Sequence, residues 1–171
     1  MSYAIVYDSR TGNTEALARA VAAALPSEGR LAFGRVDEVD RAAVAQADRV
    51  YAGFWTNRGD CGDELAEVLA SLADKDVFLF GTAGFGADET YFAGVMARVA
   101  VHLPESARIV GTFMCQGRMP ASVRARYAQT AEAKPEQAAR MHQLIENFDE
   151  AASHPDDDDV ARLREAVQAA S

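Results

Sequence analysis

The sequence predicts an α/β fold in which a doubly wound parallel sheet of five strands is covered by helices on both faces. Two observations carry this prediction. Short apolar runs alternate five times with segments whose apolar residues recur every three to four positions, the pattern of repeated strand–helix units. Three of those runs also break into loops rich in glycine and small polar residues. In sheets of this kind, ligands sit beyond the carboxyl ends of the strands, where the winding direction reverses.

The elements follow in order. "YAIVY" at 3–7 suits a strand buried on both faces, and Leu17, Ala20, Val21, Ala24 and Leu25 recur at helical spacing over 14–25. A weaker strand, 30–39, precedes a short helix over 40–47 capped by Asp40. "DRVYAGFW" (48–55) is the third strand, followed by the glycine-rich loop "TNRGDCG" and a helix over 63–73. The fourth strand lies in 76–86, its apolar run from Val77 to Phe80 ending in glycines, and a helix over 88–102 is bounded by Pro104. "ARIVGTFMCQG" (107–117) is the fifth, so the carboxyl ends fall at Asp8, Phe54, Gly81 and Cys115. Everything beyond is helical in pattern and punctuated by Pro120, Pro135 and Pro155. "DDDD" at 156–159 places acids in the first turn of the last helix, where they complement the helix dipole; capping accounts for them better than a metal site. Neither an internal repeat nor a flexible linker stands out, and one domain over 1–171 is expected.

With 26 acidic and 17 basic side chains, the 171-residue chain has a formal net charge of −9. Nucleic acid and anionic membranes repel such a surface, whereas a basic protein partner is permitted. No apolar run approaches the ~20 residues of a membrane-spanning helix, and the start lacks a signal-peptide layout, so a soluble cytoplasmic protein is expected. Cys61 and Cys115 have neither C-x-x-C spacing nor histidines close in sequence, and both read as free thiols. A C-x(5)-R phosphatase motif is missing too, and Cys115 reads as a buried structural thiol rather than a nucleophile.

The most informative stretch is "DSRTGNT" between the first strand and the first helix. A phosphate at the start of a helix is held by backbone N–H groups, and small polar residues let the chain curl around it while adding hydroxyl donors. Ser9, Thr11, Asn13 and Thr14 supply the donors, and Gly12 permits the turn. The Walker loop G-x-x-x-x-G-K-[ST] and the dinucleotide fingerprint G-x-G-x-x-G are both absent.

S-R-T-G-N-T in this position resembles the phosphate loop of the flavodoxin family, [TS]-x-T-G-x-T, which holds the phosphate of flavin mononucleotide (FMN). The resemblance covers residues 1–118 and implies the strand order 2-1-3-4-5. It implies a first loop of Ser9, Arg10, Thr11, Gly12, Asn13 and Thr14 around the phosphate. Two further loops should flank the flavin ring. One runs through Phe54, Trp55, Thr56, Asn57, Gly59, Asp60 and Cys61, with Trp55 as the stacking surface. The Gly59–Asp60 peptide would flip to accept a hydrogen bond from the N5–H of the reduced flavin, and Cys61 and Gly62 help shape this turn. The other loop contains Thr82, Ala83, Gly84, Phe85, Gly86 and Tyr91, with Phe85 or Tyr91 on the second ring face; Tyr91 could equally anchor the next helix. "GTF-x-CQG", with Gln116, is similar to a segment of a flavodoxin-like subgroup.

The tail, 119–171, departs from a short flavodoxin. One helical stretch fills the family's final-helix position, and the insertion before it, bearing Arg124, Arg126, Arg140 and His142, covers the flavin edge, docks a partner or simply stabilises the fold. The same mixture resembles flavodoxin-like proteins encoded beside bilirubin reductases in gut bacteria.

The resemblance implies an FMN electron carrier, monomeric rather than dimeric, taking electrons from a reductase and passing them to an acceptor enzyme. Its net charge suggests a field that disfavours the reduced anionic flavin and hence a low potential. An FMN-dependent NAD(P)H quinone- or nitro-type reductase is the alternative, and no separate nucleotide motif supports it. A response-regulator receiver shares the sheet but needs an acidic pair, a phospho-acceptor aspartate and a lysine where this chain has Asp8 alone, "GFW" and "CQG".

Overall fold

Hydrophobic alternation along the strands decides the layering. In the computed structural model, which describes residues 1–86 and 88–170, β1 (Tyr3–Tyr7), β2 (Arg30–Arg35), β3 (Arg49–Trp55), β4 (Asp76–Ala83) and β5 (Arg108–Gln116) form one parallel sheet in the order β2-β1-β3-β4-β5. Ala4, Val6, Val50, Ala52, Phe54, Val77 and Leu79 face one side, against α2 (Arg41–Gln46), α3 (Asp63–Ala70) and α4 (Glu89–Ala100). Tyr3, Ile5, Tyr7, Tyr51, Phe78 and Phe80 face the other, against α1 (Asn13–Ala24) and α7 (Asp157–Ala169). The period of two thus fills two separate cores from a single sheet.

Close backbone approach fixes the centre of the sheet. A Cβ at Gly53 would lie 2.4 Å from the Phe80 ring, and one at Gly81 would lie 2.5 Å from the Phe54 ring. These residues are register partners across β3 and β4, Gly53 opposite Phe80 and Phe54 opposite Gly81. Each ring takes the space its neighbour's missing side chain leaves.

At the amino ends of the strands, Asp76 accepts from Arg108 Nε and Nη2, both at 2.8 Å, and from buried Arg49 at 3.4 Å. Arg49 also donates to the carbonyl of Ala170. This clamp ties β3, β4 and β5 to the end of the chain and leaves the opposite, carboxyl ends free to build a site.

The predicted elements are present, with shorter bounds. β4 runs to Ala83, three residues past the apolar run that ends at Phe80, and the glycine-containing loop that follows turns at Gly86, φ +78°. Ala87, in the predicted third loop, and Ser171 lie outside the described residues. Asp40 caps α2 through Ala42 and Ala43, and Asp156 with Asp159 forms a capping box on α7, so the acidic run does cap a helix. Asp159 also bonds His154 and Arg162. The extension resolves into α5 (Ala121–Ala133), a single 3-10 turn (Pro135–Gln137), α6 (Ala138–Ala151) and α7. α7 completes the layer beside α1, while α5 and α6 pack on each other as a hairpin tied by Arg124 and Asp149 at 2.7 and 2.9 Å. No helix among the described residues is long and apolar enough to cross a membrane.

Candidate functional site

The reversal of winding between β1 and β3 opens a cleft of about 870 Å³ at the carboxyl ends of the strands. Its walls come from all three predicted loops and from the start of the extension.

The first loop is built around Gly12, which sits in the left-handed region at φ +86° and precedes α1. No side chain caps the helix at this position. Ser9 Oγ instead accepts the N–H of Glu15 at 3.2 Å, and the amides of Thr11, Gly12, Asn13 and Thr14 donate to no acceptor among the described residues. These amides and the positive end of the helix dipole form an anion cradle. Asn13 braces the loop by donating to Thr11 Oγ1 at 3.0 Å and to the carbonyl of Arg118 at 2.9 Å. Buried Thr14 lies behind the loop, its hydroxyl 3.1 Å from that of Thr82.

The second loop begins at half-buried Trp55, whose Nε1 donates to Asp8 Oδ2 over 2.9 Å. Burial pushes the Asp8 carboxyl above its ordinary value, and the indole bond opposes that shift. The guanidinium of Arg10, from the first loop, lies 5.5 Å from the Trp55 ring centre. Thr56 Oγ1 is buried without a hydrogen-bond partner among the described residues. Asn57 and Asp60 pair through both backbone bonds, at 2.7 and 3.0 Å, around Arg58 and Gly59, at φ +51° and +87°. Positive φ at both central residues is the type I′ turn that joins strands tightly, and it presents the Gly59 carbonyl to Arg98 Nε at 2.6 Å. Asp60 anchors the base of the turn, holding its own neighbour's amide at Cys61 and both lying 3.1 Å, by its two oxygens, from His102 Nε2.

In the third loop Tyr91 packs against the α3/α4 core, and a Cβ at Gly86 would meet its ring at 2.5 Å. Tyr91 therefore anchors α4 to the loop. Phe85 is 51% exposed and meets Tyr91 edge-to-face at 5.8 Å, so the more accessible aromatic surface is its own.

Of the residues predicted for the site, the cleft wall contains Arg10, Thr11, Asn13, Trp55, Thr56, Asn57, Gly59, Thr82, Ala83, Gly84, Phe85 and Tyr91. Ser9 and Thr14 support it from behind, whereas the Phe54 ring is fully buried on Gly81 and faces the core. Buried Gln116 points towards Asn147 and a separate groove along β5. Burial pushes the Cys61 thiol up to about 12 and the Cys115 thiol up as well, which keeps both protonated and suits structural roles.

Sequence reasoning missed one contribution and left a second as one of three alternatives. Asn147 on α6 donates to the Gly84 carbonyl at 2.8 Å and accepts from the Gly86 amide at 3.2 Å, pinning the third loop from the extension. Met119, Pro120, Ser122, Val123, Arg126 and Tyr127 then form the outer cleft wall, so the insertion does cover the edge of the site. The charge is also local: Arg10, Arg58, Arg98, Arg118 and Arg126 line the cleft with no aspartate or glutamate among its wall residues. The charge of the lining residues is thus opposite in sign to the net charge, with Asp8 behind Trp55 and Asp60 at the base of the turn standing next to the wall.

Known proteins share this architecture. A family model described as a flavodoxin domain matches residues 4–168. A flavodoxin-like domain-containing protein BilS from Clostridium symbiosum (strain WAL-14163) is 37% identical over 177 residues, covering 96% of this chain and 93% of that protein. Another protein of that name, from Clostridioides difficile (strain CD3), is 27% identical over 162 residues, covering 94% and 90%. Oxidised flavodoxin 2 from Bacillus cereus, a crystal structure, shares the fold with a TM-score of 0.57 at 18% identity, covering 99% of this chain and 97% of that one. With its strand order, its glycine-turned loop before α1 and a family match along nearly its whole length, this chain belongs to the flavodoxin domain family.

Proposed function

We propose that the cleft binds FMN and that the chain carries electrons from a reductase to an acceptor enzyme. The observation that supports this best is the set of four unpaired amides from Thr11 to Thr14 around left-handed Gly12, a cradle for a dianionic phosphate. The remaining wall suits the rest of the cofactor. Trp55 offers a stacking face, and the buried, unpartnered Thr56 hydroxyl suits a polar atom of the ligand. Thr82, Ala83 and Gly84 line the wall where the ring edge would lie, with Phe85 beside them.

Bound there, FMN supplies one-electron chemistry, and the chain's residues orient it and set the surrounding field. Arg98 fixes the Gly59 carbonyl, and the arginines of the rim favour negative charge in the cleft, which raises the potential above that implied by the net charge. α5 shields one edge from water.

Absorbance of the purified protein and an anaerobic redox titration test this reading. A yellow preparation whose extracted chromophore is FMN, titrating in two resolved one-electron steps, is expected. A single two-electron step, or rapid bleaching by NADPH with no other protein present, would overturn the carrier role.

A further inference from the structure

Six arginines elsewhere in the chain are held in ion pairs and four, Arg30, Arg41, Arg140 and Arg164, are not among the described residues; what sets the five of the cleft apart is that they are gathered in one place. Arg19, Arg35, Arg49, Arg108, Arg124 and Arg162 are all paired with a carboxylate. Arg10, Arg58, Arg98, Arg118 and Arg126 are exposed, and none of them forms an ion pair among the described residues. What they touch is neutral. Arg10 lies over Trp55, Arg126 lies 5.9 Å from the centre of the Tyr127 ring, Arg98 binds the Gly59 carbonyl and Arg118 reaches Asn13 Oδ1 at 3.4 Å. Arg58 stands at the tip of the type I′ turn.

Five like charges from five separate segments, gathered unpaired on one face of a chain of net charge −9, repel one another unless something anionic offsets them. A phosphate monoester carries about two charges and leaves the majority uncompensated. We propose that the mouth of the cleft is the docking surface for a redox partner with an acidic face. This rests on the flavin site proposed above.

A protein fits better than a small anion for two reasons. The five arginines are exposed, and they share the cleft wall with the apolar Phe85, Met119, Pro120, Val123 and Tyr127. An apolar, aromatic centre within a charged rim rich in arginine is the anatomy of a protein interface. Positive charge at the mouth of the cleft favours an acidic face once the partner is within about a screening length of it. The basic partner that net charge alone permits is thereby directed away from the cleft.

The probes are an acidic c-type cytochrome and basic horse heart cytochrome c. FMN-loaded protein, photoreduced without oxygen, is mixed with each, one electron passing from the reduced flavin to the ferric haem. The salt concentration runs from about 0.01 M to about 1 M, over which the screening length falls from roughly 30 Å to about 3 Å. The acidic cytochrome is expected to react faster at low salt and to slow at least about tenfold across the range, while the basic one reacts slowly and does not slow with salt. In the double variant Arg58→Glu/Arg126→Glu, with FMN content and midpoint potential measured alongside, the rate with the acidic cytochrome at low salt should fall at least about tenfold while the rate with the basic one does not fall. Arg58→Gln/Arg126→Gln should fall between.

A faster reaction of wild type with the basic cytochrome at low salt, or a double variant that retains FMN and the original preference, would overturn the docking surface. Calorimetry with the flavin-free chain and each cytochrome at low salt reads docking separately. Absence of FMN uptake defeats the flavin reading, while preferential binding of the acidic cytochrome, lost in the double variant, still upholds the surface; equal or reversed binding defeats it.

Discussion

Arg98 on α4 donates from Nε to the carbonyl oxygen of Gly59 over 2.6 Å, locking the peptide at the tip of the second loop. The flavodoxin resemblance assigns a redox-linked turn to this same Gly59–Asp60 peptide, and a turn of that carbonyl must first break the arginine bond. Arg98→Ala removes the restraint. A net hydrogen bond of about 0.5–1.5 kcal/mol, at 59 mV per tenfold for one electron, corresponds to roughly 20–60 mV. The first reduction step of the FMN-loaded variant is expected to rise by that amount if the turn dominates. An unchanged or lowered potential, measured by spectroelectrochemistry, would show that the carbonyl stays put or that the lost charge matters more.

Asn147 reaches the third loop from a different element, α6, and holds Gly84 and Gly86 together. Asn147→Ala should weaken FMN binding about tenfold, because two backbone contacts worth about 1 kcal/mol net each are lost from a loop that must be pre-shaped. The fold itself should hold. Parallel urea titrations and FMN titrations separate loop ordering from global stability: affinity should fall more than the unfolding midpoint.

Gly81 accommodates the Phe54 ring, and an added Cβ would lie 2.5 Å from it. Both residues are buried in the central strands, so the ring has nowhere to retreat. Gly81→Ala is expected to destabilise by about 1–3 kcal/mol through overpacking, read as a fall in denaturation midpoint. Phe54→Leu in the same background should recover part of the loss, and failure to do so would place the strain elsewhere.

The sheet order and the glycine turn before α1 were legible because both rest on local pattern. Buried strand segments such as 3–7 and 77–80 are apolar without interruption, and S-R-T-G-N-T carries its own turn and donors. Trp55 and Tyr91 could be placed near the cleft from their positions after strands, but not their partners. The Trp55–Asp8 bond joins residues 47 apart, and Arg98–Gly59 joins residues 39 apart. Asn147, Arg126 and Tyr127 belong to a helical hairpin whose docking depends on tertiary packing, and nothing in the residues around them marks the contact. Charge was misleading for a related reason: net charge sums the whole surface, while the cleft feels the few groups that line it.

Arg108 and Arg49 hold the Asp76 carboxyl below its ordinary value. A depressed carboxylate stabilises the fold above the unfolded value, and that contribution disappears as pH falls through the folded one. Asp76→Asn should therefore lower stability at neutral pH by about 1–3 kcal/mol, as buried Arg49 loses its counter-charge. The difference from wild type should shrink as pH drops from about 5 towards 3, followed by urea denaturation. A difference independent of pH would mean that the carboxylate's charge contributes nothing.

Because Trp55 is the chain's single tryptophan and lines the cleft, its fluorescence reports occupancy there without interference from a second indole. Titrating flavin-free protein with FMN and, separately, with riboflavin compares ligands that differ by the phosphate alone. Saturable quenching by FMN at one equivalent, at micromolar concentrations or below, is expected, with riboflavin binding at least about a hundredfold more weakly through loss of roughly 3 kcal/mol at the Thr11–Thr14 amides. Equal affinity for the two, or no quenching by FMN, would contradict the assignment of this loop as a phosphate cradle beneath a flavin.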